Sequence, residues 1–221
     1  VFAKQGHVTL NSGSQQDSYT QIGHGGTGAS ADLITATADI DIVFCEVGDV
    51  ILNGSTALQT YAQIGHGHTN VAAQTNGDIT ITDFRHIDMN SGTGDTAFTQ
   101  IGHGGFRHAA TAGEGHSGDI AVTTGGDLTF AAGGNDRNYA QLGHGGAIFN
   151  WGGGNDSGSL SSNGAGLAAN ANTTTGLNMM LNDGIDVDAG GAINFIGGDR
   201  VRAYAHLGLG GRTNRGNHAV S

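Results

Sequence analysis

Short runs in which apolar and polar residues alternate recur along the chain. Val8-Thr9-Leu10 and Ile87-Asp88-Met89 are two of them. Alternation with a period of two places every second side chain on one face of a β-strand, and that face is the buried one. No window of helical length shows a sustained helical apolar period. The pattern therefore predicts an all-β chain of short strands, each with one buried face.

A single motif recurs five times and sets the spacing of the other runs. Its copies read YTQIGHGG, YAQIGHGH, FTQIGHGG, YAQLGHGG and YAHLGLGG, and they begin at Tyr19, Tyr61, Phe98, Tyr139 and Tyr204. An apolar I-x-L run precedes every copy, and its first apolar residue lies 11 residues before the motif aromatic in all five cases. A third run starts at Ile40, Ile79, Ile120 and Ile185, after Gly-Asp or a variant of it. Unrelated loops would not keep this register, so the chain is a tandem repeat.

Each repeat holds three predicted strands in about 40 residues. A unit of that size cannot bury its apolar face alone and must stack on its neighbours. We therefore predict a parallel β-helix (β-solenoid) of about five repeats, continuous through residues 1–221. Two coils of about 20 residues per repeat are favoured, and one wide coil of about 40 residues is the alternative.

Composition agrees with this fold and excludes several function classes. The chain has 42 glycines, no proline and no Gly-X-Y period, so it is not a collagen. Interior strands that donate N–H groups to both neighbours have no place for proline. A net charge of -11 with eight basic residues argues against a nucleic-acid partner. No apolar stretch is long enough to cross a membrane, and the single cysteine, Cys45, allows no intrachain disulfide.

Repeated positions in a solenoid predict columns of like residues. We expect stacked rings, glutamine amides bonded from rung to rung, and packed histidines. Two coils per repeat would set the histidines ~10 Å apart, whereas one coil would set them ~5 Å apart and bring a shared metal ion within reach. Leu209 replaces histidine in the fifth copy, which favours packing, and we expect no metal and no cofactor. The column positions are Tyr19, Gln21, His24, Tyr61, Gln63, His66, Phe98, Gln100, His103, Tyr139, Gln141, His144, Tyr204, His206 and Leu209.

Other kinds of site are weaker in this sequence. The aromatic column is a second candidate, for glycan binding by ring stacking. GGND occurs at residues 133–136 and 153–156, but calcium-binding nonapeptides need tandem copies. Asp78, Asp119 and Asp183 recur as turn residues rather than as one catalytic cluster, and Glu46 and Glu114 are the only glutamates. We therefore expect no enzymatic activity and assign no catalytic residue.

Two further features bear on partners. Residues 147–182 form a Gly/Asn/Ser/Thr-rich insertion that carries the only tryptophan, Trp151, and this insertion is the expected contact loop. Joining the last residues to the first gives a spacing of 36 residues from Tyr204 to the next Tyr19, close to the internal spacings of 37, 41 and 42 residues. We therefore expect head-to-tail stacking of identical segments, as tandem repeats or as polymerising subunits.

GDITIT at residues 77–82, GGDLTFAAGG at residues 125–134 and the YAQIGHGG strings resemble the repeats of filamentous-haemagglutinin-type bacterial proteins. The resemblance covers nearly the whole chain apart from the insertion. It implies a right-handed parallel β-helix that is exported through a partner outer-membrane pore and displayed on a Gram-negative surface.

Repeats and resemblance together indicate a structural or adhesive extracellular fibre segment. Its expected partners are further copies of itself, head to tail and laterally, and glycans or a host or neighbouring cell surface. We expect no nucleic-acid partner and no membrane insertion. The alternative is a β-helical carbohydrate-binding or polysaccharide-processing protein.

Overall fold

The computed structural model of the chain is built from short β-strands. It describes residues 1–3, 6–26, 36–44, 48–67, 75–105, 116–145, 178–179, 184–208 and 217–218. Those residues contain no helix, so the all-β prediction is confirmed. None of them forms an apolar helix of the length that a membrane span requires.

Three parallel sheets of five strands each run through the described part of the chain. Sheet A contains Phe2–Ala3 (β1), Ile40–Phe44 (β5), Ile79–Phe84 (β9), Ile120–Thr124 (β13) and Ile185–Ala189 (β17). Sheet B contains Val8–Asn11 (β2), Asp49–Asn53 (β6), His86–Asn90 (β10), Leu128–Ala131 (β14) and Ile193–Ile196 (β18). Sheet C contains Tyr19–Ile22 (β3), Tyr61–Ile64 (β7), Phe98–Ile101 (β11), Tyr139–Leu142 (β15) and Tyr204–Leu207 (β19).

Short strands of two residues form two further parallel groups within the described residues. One contains Ala36–Thr37 (β4), Thr75–Asn76 (β8) and His116–Ser117 (β12). The other contains Asn178–Met179 (β16) and Asn217–His218 (β20). The first group lies just before the sheet A strands, where the connection from sheet C returns.

Each repeat adds one layer, with one strand in every main sheet. Tyr61 is paired with Tyr19 on one side and with Phe98 on the other, so identical motif positions are direct neighbours. The expectation of two coils per repeat is therefore wrong, and the single wide coil is the correct alternative. We number layers 1 to 5 by the motif aromatics Tyr19, Tyr61, Phe98, Tyr139 and Tyr204.

The three sheets bury one shared core. In β5, Ile40 and Ile42 are buried while Asp41 between them is exposed, as the alternating pattern predicts. Apolar residues from sheets A, B and C belong to one contiguous cluster. Three parallel sheets around a common core are consistent with a parallel β-helix.

Sheet C departs from this alternation. All four residues of β7, β11 and β15 are buried, so both faces of the sheet are covered in layers 2 to 4. One face joins the shared core, and the other carries a separate cluster of Tyr61, Phe98 and Tyr139. The motif thus lies where the chain is buried from two sides.

Several predicted features fall outside the described residues. They are Leu209, Cys45, Trp151 and the insertion at residues 147–182, apart from residues 178–179. The role of the insertion as a contact loop stays a prediction.

Candidate functional site

The GHG segment that follows sheet C brings consecutive layers into close backbone contact. Gly65, Gly102 and Gly143 have φ angles of 151°, 147° and 143°, which favour glycine. A Cβ on Gly102 would stand 2.1 Å from the carbonyl oxygen of Gly143 in the next layer. Glycine is therefore required by conformation and by space, and the carbonyl groups of this turn are available to neighbouring layers.

An aromatic column runs through sheet C. The ring centroids of Tyr61 and Phe98 are 4.8 Å apart and those of Phe98 and Tyr139 are 4.7 Å apart, with nearly parallel planes. Tyr19 and Tyr204 extend the stack at its two ends, at 5.0 and 5.3 Å. The spacing matches the interstrand distance of a sheet, so the rings stack because the strands do.

The glutamine column bonds to backbone rather than to other amides. The Nε2 group of Gln63 donates to the carbonyl oxygens of Gly102 and Gly104 in the next layer, at 3.0 and 2.9 Å. Gln21 makes the same pair of bonds to Gly65 and Gly67, at 2.8 Å each. This arrangement differs from the expected amide-to-amide ladder, since these two side chains tie their own strands to the turn of the layer above.

Gln100 repeats the arrangement one layer higher. Its Nε2 group donates to the carbonyl oxygens of Gly143, at 3.0 Å, and Gly145. In layer 5 the position is occupied by His206, which pairs in register with Gln141. Gln141 differs, because its Nε2 group donates to the carbonyl oxygens of Gly143 and His144 in its own layer, at 3.4 and 3.3 Å. All the described glutamines therefore bind carbonyl groups of the glycine-rich turn.

The histidine column reaches in the opposite direction, toward the layer below. The Nδ1 atom of His66 accepts the backbone N–H of His24 at 3.0 Å, and Nδ1 of His103 accepts the N–H of His66 at 2.9 Å. Nδ1 of His144 accepts the N–H of His103 at 3.0 Å. The rings stack with centroid distances of 4.7 to 5.0 Å.

The second ring nitrogen binds the point at which each interlayer connection ends. Nε2 of His66 is 2.6 Å from the carbonyl oxygen of Ala38, just before β5. Nε2 of His103 is 2.7 Å from the Gly77 carbonyl, and Nε2 of His144 is 2.7 Å from the Gly118 carbonyl. One ring therefore holds both ends of the connection between its own layer and the layer below, which we call the histidine clamp of His66, His103 and His144.

These bonds fix the tautomer of each clamp histidine. Because Nδ1 accepts an N–H and Nε2 faces a carbonyl oxygen, the proton resides on Nε2 and the ring is neutral. Burial lowers the pKa of His144 to about 4, although the Gly118 carbonyl and the charges of Asp119 and Asp78 act in the opposite direction. Burial also lowers the pKa of His66, against the effect of its bond to Ala38.

The same bonds bear on the metal hypothesis. The ~5 Å spacing that brings a shared ion within reach is present in the ring distances. Both nitrogens of each clamp histidine, however, are directed at backbone groups, which leaves no lone pair for a metal. Among the described residues no group of three His, Cys, Asp or Glu side chains is arranged to hold an ion.

The other candidate positions have ordinary structural surroundings. The rings of Tyr61, Phe98 and Tyr139 are fully buried, so a sugar has no access to their faces. In the GGND turn, Asp136 Oδ1 accepts the backbone N–H of Val201 at 3.2 Å, and residues 153–156 lie outside the described residues. Asp78 Oδ1 accepts the N–H of Asp119 at 2.9 Å, as expected of a turn residue.

Sequence reasoning found the column positions but not their bonds. The repeated Gly on both sides of His was the available signal, since only a turn in backbone contact with its neighbours needs glycine at both places. Comparison with protein-family models, curated proteins and solved structures finds no match to this chain.

Proposed function

We propose that this chain is a rigid structural or adhesive segment of an extracellular fibre that stacks head to tail on identical segments at a bacterial surface or in its matrix. The exposed apolar edge of layer 5 carries this proposal. Phe195 is 50% exposed, whereas Phe130, its neighbour in register one layer below, is fully buried. A core position left open at the end of a stack is a contact site for another layer.

The backbone of the same layer supports the proposal. In the described part of the chain, β17, β18 and β19 pair on one side only. An edge strand offers a row of N–H and C=O groups that template a further strand. Ile193 and Ile196, 41% and 52% exposed, lie on that edge.

The occupant that fits this edge is layer 1 of a second copy. Continuing the register of the internal layers would set Val8 against Ile193, Leu10 against Phe195 and Tyr19 against Tyr204. Tyr19 is 41% exposed, whereas Tyr61 one layer above is fully buried, so layer 1 also has an open ring face. Apolar residues then meet apolar residues and the aromatic column continues through the junction.

The proposal includes a closed, right-handed coil. The chain passes from sheet A to sheet B to sheet C and then pairs in parallel with its own earlier sheet A strand. Crossover connections between parallel strands of one sheet are right-handed in nearly all proteins. The shared core of the three sheets supports closure.

Surface display rests on the resemblance to filamentous-haemagglutinin-type repeats and on the acidic charge, which keeps long particles apart in solution. The partners proposed beyond the chain itself are glycans or a neighbouring cell surface. The carbohydrate-processing alternative gains no support from the buried aromatic column, and the proposal assigns the chain a mechanical role without a reaction.

The test is electron microscopy and sedimentation of the whole chain at rising concentration. We expect filaments with an axial repeat of about 24 Å, for five layers spaced ~4.8 Å apart. The concentration series extends to about 1 mM, which is the effective concentration that a short covalent linker would impose. Isolated short rods over the whole range would contradict head-to-tail stacking.

A pair of variants in β18 locates the contact. Phe195→Asp introduces a charge at the open core position and is expected to stop filament growth. Asn194→Asp adds the same charge on the same strand, at the position aligned with Thr129, and is expected to leave growth unchanged. Equal filament growth in both variants would place the contact elsewhere.

A further inference from the structure

The histidine clamp joins parts of the chain that the strands alone do not hold together. Each clamp ring binds the backbone where the connection leaves one layer and where it enters the next, for example His24 and Ala38 for His66. Backbone bonds between the turns, such as Gly67 N–H to the His24 carbonyl at 2.9 Å, run beside the ring. Any change that converts a ring nitrogen from a hydrogen-bond acceptor into a donor therefore acts directly on the junction between two layers.

Protonation is such a change. An imidazolium carries hydrogen on both nitrogens, so Nδ1 would become a donor facing a backbone N–H donor at 2.9 to 3.0 Å. The bond is lost, and two buried donors are left opposed in a site without solvent. The Nε2 bond to the carbonyl oxygen does not suffer this conflict, so the damage falls on the junction with the layer below.

The surroundings provide little compensation for a buried positive charge. His66 is stacked on the rings of His24 and His103, whose charged forms would repel it. Asp39 is the carboxylate near His66, while Asp78 and Asp119 are those near His144. All three aspartates are exposed at the turn before sheet A, where solvent screens their charge.

We propose that the histidine clamp is an acid-sensitive joint: it locks adjacent layers at neutral pH and releases the ends of the interlayer connections when its rings are protonated. This device is independent of head-to-tail stacking, because it acts inside one chain. A single unpolymerised segment is sufficient to test it, and its failure would leave the fibre proposal standing.

The pH window follows from the direction of the shifts. A histidine held neutral by the fold stabilises the folded state above its unfolded pKa, and that contribution decreases as pH falls toward the folded pKa. For His144 the window runs from about 6.5 to about 4. Within it, the folding equilibrium constant falls by about tenfold per pH unit for this histidine alone.

The first experiment reads the tautomers directly, by ¹⁵N NMR of the histidine rings in the wild-type chain between pH 8 and pH 4. We expect His66, His103 and His144 to carry their proton on Nε2 at neutral pH, and His144 to stay neutral well below pH 6.5. A proton on Nδ1 at neutral pH, or titration of His144 at the ordinary histidine pKa, would overturn the proposal. This experiment needs no variant that has to fold.

The second experiment compares two glutamine variants by denaturant unfolding at pH 7.0 and pH 4.5. His144→Gln keeps an amide donor toward Gly118 but does not titrate. The unfolding equilibrium constant of this variant should therefore rise between pH 7.0 and pH 4.5 by a factor up to about 100 times smaller than that of the wild-type chain. His24→Gln changes an exposed ring that stacks on His66 but not on His144, so the larger part of the wild-type pH dependence should remain. The same pH dependence in both variants would show that the clamp is not the sensor.

Discussion

Sheets B and C have strands of similar length in the same parallel register, yet they use their residues differently. In sheet B one face is buried and the other is open, as in β10, where Asp88 and Asn90 are exposed. In layers 2 to 4 of sheet C every residue is buried. The position aligned with Asp88 changes freely from layer to layer and is occupied by Thr9, Ile51, Asp88, Thr129 and Asn194.

The sheet C motif changes much less, and its partners explain why. Gln100 binds two carbonyl groups of the next turn, and His103 binds two backbone groups around the connection below. A residue with two fixed partners has few substitutes, whereas an exposed residue on a sheet has many. In this protein, a position therefore keeps the same residue from repeat to repeat when its side chain bonds to neighbouring layers, and not merely because it lies in a strand.

The largest expected effect comes from the glycines of the motif. Gly102→Ala places a methyl group against the Gly143 carbonyl and forces a φ of 147° on alanine, so we expect a loss of about 4 kcal/mol or more in the free energy of unfolding. Gly125→Ala, at the corner between sheets A and B, meets its nearest neighbour at 3.8 Å. Its effect should stay within about 1 kcal/mol. Denaturant unfolding measures both changes. Equal losses of unfolding free energy in the two variants would show that the turn after sheet C is no more constrained than the corner between sheets A and B.

The next effect concerns the amides. Gln100→Glu turns a donor into a carboxylate oxygen that faces carbonyl oxygens in a buried site, with an expected loss of about 3 kcal/mol at pH 7. Asn90→Asp makes the same chemical change in sheet B, where the side-chain oxygen accepts the N–H of Gly92 at 3.0 Å. That bond survives, so the change should be about 0.5 kcal/mol or less. A tolerated Gln100→Glu would show that the amide bonds contribute little.

A smaller effect separates the two apolar clusters. Phe98→Leu removes a ring that is stacked on both sides, and we expect a loss of about 2 kcal/mol. Met89→Leu conserves volume in the shared core and should cost about 1 kcal/mol or less. Thermal unfolding of the two variants gives the comparison, and similar melting temperatures would mean that ring stacking adds nothing to burial.

The smallest effect lies in the turn between sheets B and C. The residue two positions before each motif aromatic has a left-handed φ, at Asp17, Gln59, Thr96, Arg137 and Arg202. Threonine is poorly suited to that conformation because it is β-branched. Thr96→Asn should raise the free energy of unfolding by about 0.5 kcal/mol, and Gln59→Asn by less. A loss of stability in Thr96→Asn would show that its bond to the Asp95 carbonyl outweighs the relief of strain.

The strands and their spacing were predictable from the sequence for a physical reason. Every layer passes from sheet B to sheet C through the same kind of turn, in which one residue has a positive φ. The 11-residue distance therefore cannot vary without disrupting that turn. The distance from sheet A to sheet B does vary, and β9 absorbs an irregularity opposite Val122 and Thr124, with Asp83 at a φ of 63°. Constant spacing thus identified the rigid corner.

Two features could not be read from alternation. A period of two tells which side chains share a face, but it does not tell whether the opposite face is covered, so the burial of Gln63 and Thr99 was not predicted. The number of layers per repeat was misjudged although a signal existed. The three strands of one repeat differ in sequence, so each finds a strand of the same sequence only in the next repeat. Because stacked sheets favour contacts between identical side chains, this pattern indicates one layer per repeat.

The directions of the motif's side-chain bonds give the rod a polarity. Within sheet C, the glutamine amide and the histidine N–H of one layer donate, and the glycine carbonyls and Nδ1 of the following layer accept. Turning one layer of these columns end over end would bring donors against donors and acceptors against acceptors. Any assembly that continues these columns is therefore vectorial, with its two tips chemically distinct and all of its segments pointing the same way.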